Sequence, residues 1–332
     1  MFTINKQRFK ILLLIIGCAI LFALIYKVGP STIYHHLSIL KWKILLIFLP
    51  YFLVFTLDTL GWKYSFKEER TSFKDLLIIR LAGESVNTII PSATFAGEPL
   101  KAYFLKRHNI SMVEGMASVV ISRAIMTMAQ IAFVMIGVVF LLFKLNVSGS
   151  RLISSIAIIL LGIPIIILIV FIQRQGIFAF LLKLLRRFRI KIRYIDEREE
   201  RLIELDKNIY QFYSHNKKKA LYSFIYYFLG WMAGLIEVFL ILYLLGIPVD
   251  TVSAYIIESL STVAKGVTSF IPGSIGGQEG GIIAIFVTLK LSASIALTFG
   301  ILRRLRELIW IGAGLFVLSK LEWAIAESPT KE

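Results

Sequence analysis

Apolar residues recur along the chain in blocks close to the length that crosses a bilayer, about 20 residues for a helix. The blocks occupy 10–28, 42–62, 113–143, 151–172, 220–246 and 292–320, which predicts six membrane-spanning helices. Two further apolar regions, 73–107 and 252–290, are interrupted near their centres by Pro and Gly, and each carries carboxylates. Neither reads as one straight helix, and each is predicted to be a re-entrant helical hairpin. The expected fold class is an all-α polytopic membrane protein, with residues 1–332 forming a single membrane domain.

The polar residues between the blocks set the orientation, because Lys and Arg concentrate in cytoplasmic loops. Lys6, Arg8 and Lys10 precede the first block, and Lys63, Lys67, Arg70 and Lys74 follow the second. Segment 174–219 is a basic cytoplasmic loop: LLKLLRRFRIKIRY, suited to anionic headgroups or to plain positive-inside anchoring, then the charge-mixed DEREERLIELDKN. The connections 29–41, 144–150 and 247–252 are poor in cations and fall outside. Both termini are therefore expected in the cytoplasm, and the location is the cell (cytoplasmic) membrane. Region 73–107 returns to Lys101, Lys106 and Arg107 and so dips in from inside, whereas 252–290 starts and ends outside.

Composition narrows the classes. The chain is 57% hydrophobic and 17% charged, beyond the roughly 45–50% apolar content of soluble domains. The formal charge of +16 would suit nucleic acid on a folded soluble face, but the cations sit between apolar blocks, which excludes nucleic acid as a partner. The single cysteine, Cys18, allows no intrachain disulfide, and His35, His36, His108 and His215 lack ligands at metal spacing. No metal or other cofactor is expected. The first block lacks a small-residue cleavage pattern and is read as retained.

An offset of 181 residues lays Pro91 on Pro272, Glu98 on Glu279, Ser111 on Ser292 and Arg123 on Arg304. Upstream, ESVNT at 84–88 matches ESLST at 258–262 once seven extra residues are allowed. Chance similarity between apolar segments is the competing account; the loop charges, an independent observation, give each half the plan span, hairpin, span in opposite directions. The repeats are 42–143 and, inverted, 220–320, the plan of many secondary transporters.

The runs NTIIPSATFAGEPLKAYFLKR at 87–107 and SFIPGSIGGQEGG at 269–281 resemble the flippase-like transmembrane region of the lysylphosphatidylglycerol synthase family. The resemblance covers most of the chain. It implies movement of an aminoacylated or other phospholipid between leaflets. A soluble aminoacyl-transferase domain follows in the synthase proteins; this chain stops at Glu332, so no synthase activity is expected.

Pro91 and Pro272 mark helix breaks that survive at membrane depth only when buried or lining a wet cavity. Gly97, Gly273, Gly276 and Gly277 allow sharp turns there, and the half-helix after each break offers its positive end to a phosphate. Arg123 lies about 15 Å into its span by helical rise, and Arg304, with Arg303 and Arg306 beside it, lies similarly deep. Their expected partners are Glu98 and Glu279, with Glu84 and Glu258 on the preceding half-helices and Asn87 beside the first break. Two roles are open for these groups: binding a lipid headgroup or cycling a proton, and structural ion pairing. Asp58 and Glu237, in the spans before each hairpin, rank second.

Three function classes fit. The first is translocation of a phospholipid or lipid-linked substrate; no G-x-x-x-x-G-K-[ST] motif is present, so a gradient or partner would drive it. The second is a membrane enzyme acting on a lipid phosphate or polyprenyl carrier, with Glu98 or Glu279 as base. The third is an accessory subunit of an envelope glycosyltransferase. A second copy of the chain or an envelope enzyme is the protein partner these classes call for.

Overall fold

The computed structural model describes residues 22–23, 25–26, 29–90, 96–145, 151–176, 178, 187 and 199–326. Every regular element among them is helical. Helix α1 (Pro30–Leu40) starts with Pro30 after Gly29, whose φ of 99° reverses the chain, so the predicted outer connection 29–41 is largely helical. A 3-10 segment (Lys41–Ile47) leads into α2 (Phe48–Lys63). The first broken region gives α3 (Phe73–Ile89) and α4 (Glu98–Leu105), and α5 (Met112–Lys144) and α6 (Arg151–Gln175) follow. Helix α7 (Glu199–His215) precedes α8 (Lys217–Leu244); the second broken region gives α9 (Thr251–Val267) and α10 (Gly277–Thr288), and α11 (Ala293–Ala326) completes the order.

Among the described residues, three helical stretches are long and apolar enough to cross a membrane: Pro30–Lys63, Met112–Lys144 and Lys217–Leu244. Their outer faces carry large apolar residues with no protein to cover them, and on α6 Ile163, Ile165, Ile167 and Leu168 are likewise exposed. Burying these faces requires lipid, since water would penalise each exposed side chain by about 1.5–3 kcal/mol. The predicted span at 10–28 and the basic run 181–194 lie outside the described residues, apart from isolated positions. The charge-mixed segment forms α7, which turns Leu205, Ile209 and Phe212 into a core shared with α5 and α8.

Glycines decide how closely the helices cross. A Cβ on Gly137 of α5 would fall 1.9 Å from the Ser259 hydroxyl of α9, and one on Gly314 of α11 would fall 1.7 Å from the Ser85 hydroxyl of α3. Each long helix thus packs on the broken pair of the other half, at the serine of the repeated Glu-Ser dipeptide. Helices α2 and α8 also meet through glycine: Gly61 faces the Tyr227 ring and Gly230 faces the Asp58 carboxylate. In a bilayer, where apolar contact alone does not drive association, such close backbone approach supplies the packing.

Candidate functional site

The helix leading into each break starts from a side-chain cap. Ser72 caps α3 by accepting from the Asp75 N–H at 3.2 Å, and Asp250 caps α9 by accepting from the Ser253 N–H at 3.0 Å. After α3 ends, the Asn87 side-chain oxygen accepts from the Gly97 N–H at 2.6 Å, which satisfies a donor at the start of α4. Gly97 has no room for a side chain, since a Cβ would lie 2.0 Å from the Gly83 carbonyl oxygen. In the second half, a 3-10 turn (Pro272–Ser274) carries Gly273 at φ 62°, and Gly276 follows at φ 77°. Gly277 then packs on Thr268 and Gly281 on Ala264, so α10 runs back along α9. Pro91 lies outside the described residues.

The positive end of α10 is closed by the chain itself, since Glu279 in its first turn accepts from the Gly276 N–H at 2.7 Å. At α4 the Asn87 amide oxygen takes the Gly97 N–H, and Glu98, the first residue of the helix, places its charge in the first turn. The helix dipole favours a carboxylate at either place.

Around Glu98 the first cluster assembles. Arg123 of α5 pairs with Glu98 and lies 3.5 Å from Glu84. Lys101 lies 2.5 Å from Glu84 and 3.2 Å from Glu98. Asn87 donates to Glu98 at 3.0 Å. Lys101, grouped from the sequence with the flanking cations Lys106 and Arg107, lies inside α4 and is 4% exposed. One turn of helix separates it from Glu98, so the cation rotates onto the acid-bearing face rather than into a loop. Asp58 and Arg80 form an adjoining pair at 2.9 Å.

The second cluster is larger. Arg304 pairs with Glu279 at 2.5 Å and donates to the Gly273 carbonyl at the break. Arg303 pairs with Glu258 and lies 3.4 Å from Glu237, which also holds Arg306. Glu307 accepts from Lys265 at 2.6 Å and lies 3.7 Å from Arg304. Among the described residues, Asp58, Glu84 and Glu98 balance Arg80, Lys101 and Arg123, and four glutamates in the second half balance three arginines and Lys265. An unpaired ion at bilayer depth costs about 2.5–3.5 kcal/mol on insertion scales, so neutral bookkeeping within each cluster is what the surroundings demand.

All the arginines and glutamates singled out from the sequence fall in these two clusters. Arg80, Lys101, Lys265 and Glu307 join them without having been selected; their signal was a charge inside or at the edge of an apolar helix, the same criterion that picked Arg123.

The clusters meet at a narrow crevice of about 40 Å³ between α2, α3, α9 and α11. Glu84 reaches it from the first cluster and Lys265 and Glu307 from the second, with Tyr51, Phe55 and Trp310 forming an aromatic wall. Phe55 stacks on Trp310 at 5.5 Å between ring centroids, and Arg306 lies 4.1 Å from the Tyr51 centroid. The opening is therefore lined by charged and aromatic side chains together, and both halves contribute to it.

Comparison with known proteins agrees with this architecture. A UPF0104 membrane protein of Methanothermobacter thermautotrophicus is 25% identical over 318 residues, spanning 91% of this chain and 92% of the relative. A UPF0104 membrane protein of Pyrococcus horikoshii is 24% identical over 343 residues, spanning 96% of this chain and 99% of the relative. No solved structure matches the chain. The sequence profile of the lysylphosphatidylglycerol synthase transmembrane region matches residues 10–314, and the protein belongs to that family of integral membrane domains.

Proposed function

We propose that the protein moves a phospholipid or lipid-linked headgroup between the leaflets of the cytoplasmic membrane, through the crevice where its two halves meet. The observation that carries this reading is the joint lining of that crevice by Glu84 from one ion cluster and Lys265 and Glu307 from the other. A transporter needs a polar path whose walls belong to parts that can shift against each other. The headgroup occupies the crevice while the acyl chains stay in the bilayer.

The two halves act as inverted repeats, span, hairpin, span, with both termini in the cytoplasm. The equal 25-residue separation of Glu98 from Arg123 and of Glu279 from Arg304 supports this. So does the matched crossing of Gly137 on Ser259 and Gly314 on Ser85. The cytoplasmic basic segment holds anionic headgroups, and no chemical change is made to the substrate.

Reconstitution of the full chain in liposomes with reporter phospholipids tests the proposal. Leaflet exchange of an unmodified reporter is the expected result. A modified product assigns catalysis on a lipid phosphate or polyprenyl carrier instead, and neither exchange nor product assigns an accessory role beside an envelope enzyme.

A further inference from the structure

The chemistry of the crevice narrows the headgroup. Each ion cluster is self-neutral, and its members are already paired with one another. A ligand with net charge entering such a place leaves one ion without a counter-charge in a low-dielectric interior, the arrangement that is most costly for buried pairs. A ligand carrying one charge of each sign exchanges partners with the cluster and leaves the balance at zero.

The lining offers both halves of such an exchange. Glu84, with 27% of its side chain exposed, is the acid presented by the first cluster, and it lines the crevice. A carboxylate holds an ammonium group through charge-assisted hydrogen bonds. Lys265, 46% exposed, is the base presented by the second cluster. The Trp310 indole N–H, buried with no acceptor, adds a donor at the same crevice. Donors of this kind hold a phosphate.

We propose that the crevice selects a zwitterionic lipid headgroup, one phosphate and one ammonium with no net charge. The phosphate goes to Lys265 and the Trp310 N–H, and the ammonium to Glu84. Entry displaces Lys265 from Glu307, whose charge Arg304 and Arg306 continue to balance from 3.7 and 3.8 Å. This assignment rests on the translocation reading above.

The test compares leaflet exchange of fluorescent phosphatidylethanolamine, phosphatidylglycerol and a dialkyl trimethylammonium lipid in proteoliposomes of the full chain. Phosphatidylethanolamine is expected to move at least about tenfold faster than either charged lipid, the ratio that about 1.4 kcal/mol of selectivity gives. Glu84→Gln leaves one positive charge in excess and is expected to shift preference towards phosphatidylglycerol, while Lys265→Met leaves one negative charge in excess and shifts it towards the cationic lipid. Opposite shifts are not produced by a loss of packing. Equal or faster exchange of a charged lipid by the unmodified protein overturns the inference, as does equal slowing of all three lipids in both variants. Should either variant fail to fold, the three-lipid comparison on the unmodified chain decides alone. Absence of exchange for every lipid overturns the translocation reading itself. Thermal stabilisation of the detergent-solubilised protein by phosphatidylethanolamine, and not by tail-less phosphoethanolamine, is expected for a lipid; equal stabilisation by both overturns the lipid source.

Discussion

The two halves of the protein hold the same bond among different neighbours. Glu98 meets Arg123 and Glu279 meets Arg304, each glutamate sitting in the first turn of the short helix after a break. Around that bond the halves diverge. In the first, the remaining cations are Arg80 and Lys101, both on the broken helix pair. In the second, Ile282 falls at the position of Lys101 under the 181-residue offset, Lys265 alone of this cluster's cations stands on the broken pair, and Arg303 and Arg306 come from the long helix α11. The main source of positive charge has shifted while neutrality has not. The constraint on each half is therefore charge balance at depth, because an ion left alone there is costly whichever helix carries it.

That comparison can be broken most severely at the shared acid of the second half. Glu237→Gln leaves Arg306 with the Glu307 carboxylate 3.8 Å away and weakens the hold on Arg303, with an expected loss of about 3–5 kcal/mol. Asp58→Asn strands only Arg80, which keeps the Asp58 carbonyl as an acceptor at 3.2 Å, so its loss is expected to be smaller. Thermal unfolding of the two variants in one detergent checks the order. Equal losses would show that the second cluster is not the more interdependent one.

The glycine crossings sharpen the comparison next. Valine at Gly137 forces the Ser259 side chain away, and at Gly314 it meets the Leu81 carbonyl as well as Ser85; each is expected to cost about 1–3 kcal/mol, with Gly314 at the upper end. A large effect at one and none at the other would deny that the crossings are equivalent. Lys101→Ile gives the first half the residue of the second; it removes charged hydrogen bonds to Glu84 and Glu98, with an expected cost of about 2 kcal/mol. Adding Ile282→Lys in the same chain does not recover it if each cluster balances its charge locally.

The smallest effects are expected at the caps. Ser72→Ala and Asp250→Ala each lose about 1 kcal/mol by capping alone. Only the second should depend on pH. The Lys144 ammonium at 2.5 Å, with the Ser253 N–H, holds the Asp250 carboxyl below the usual carboxylate range. A depressed carboxyl stabilises the fold above its unfolded pKa, about 3.9, and that contribution fades as pH falls below it. The gap in unfolding temperature between the unmodified chain and Asp250→Ala should thus narrow below about pH 4.

Much of this was legible in the chain. Pro, Glu and Arg at matched offsets pointed to two like units, and the depth of Arg123 and Arg304 in apolar runs required acidic partners. The pairing within the second half was not legible. Arg303, Arg304 and Arg306 span about one helical turn and so point in different directions, and three glutamates from three helices compete for them. The place of Lys101 was not legible for a related reason, since a lysine near a loop reads as a flanking cation by composition but turns inward when acids share its helix face.

The sequence by itself determined the solvent of this protein, the places where its helices break and the types of ion it buries, because hydropathy, Pro and Gly act locally. Tertiary structure alone decided which ions meet, that one short-helix start is capped by the Asn87 amide and the other by the Glu279 carboxylate, and that the halves join at an aromatic crevice. Those outcomes depend on how near two helices can come and how each is rotated. Single glycines such as Gly137 and Gly314 set that distance, and their importance is invisible until the crossing partner is known.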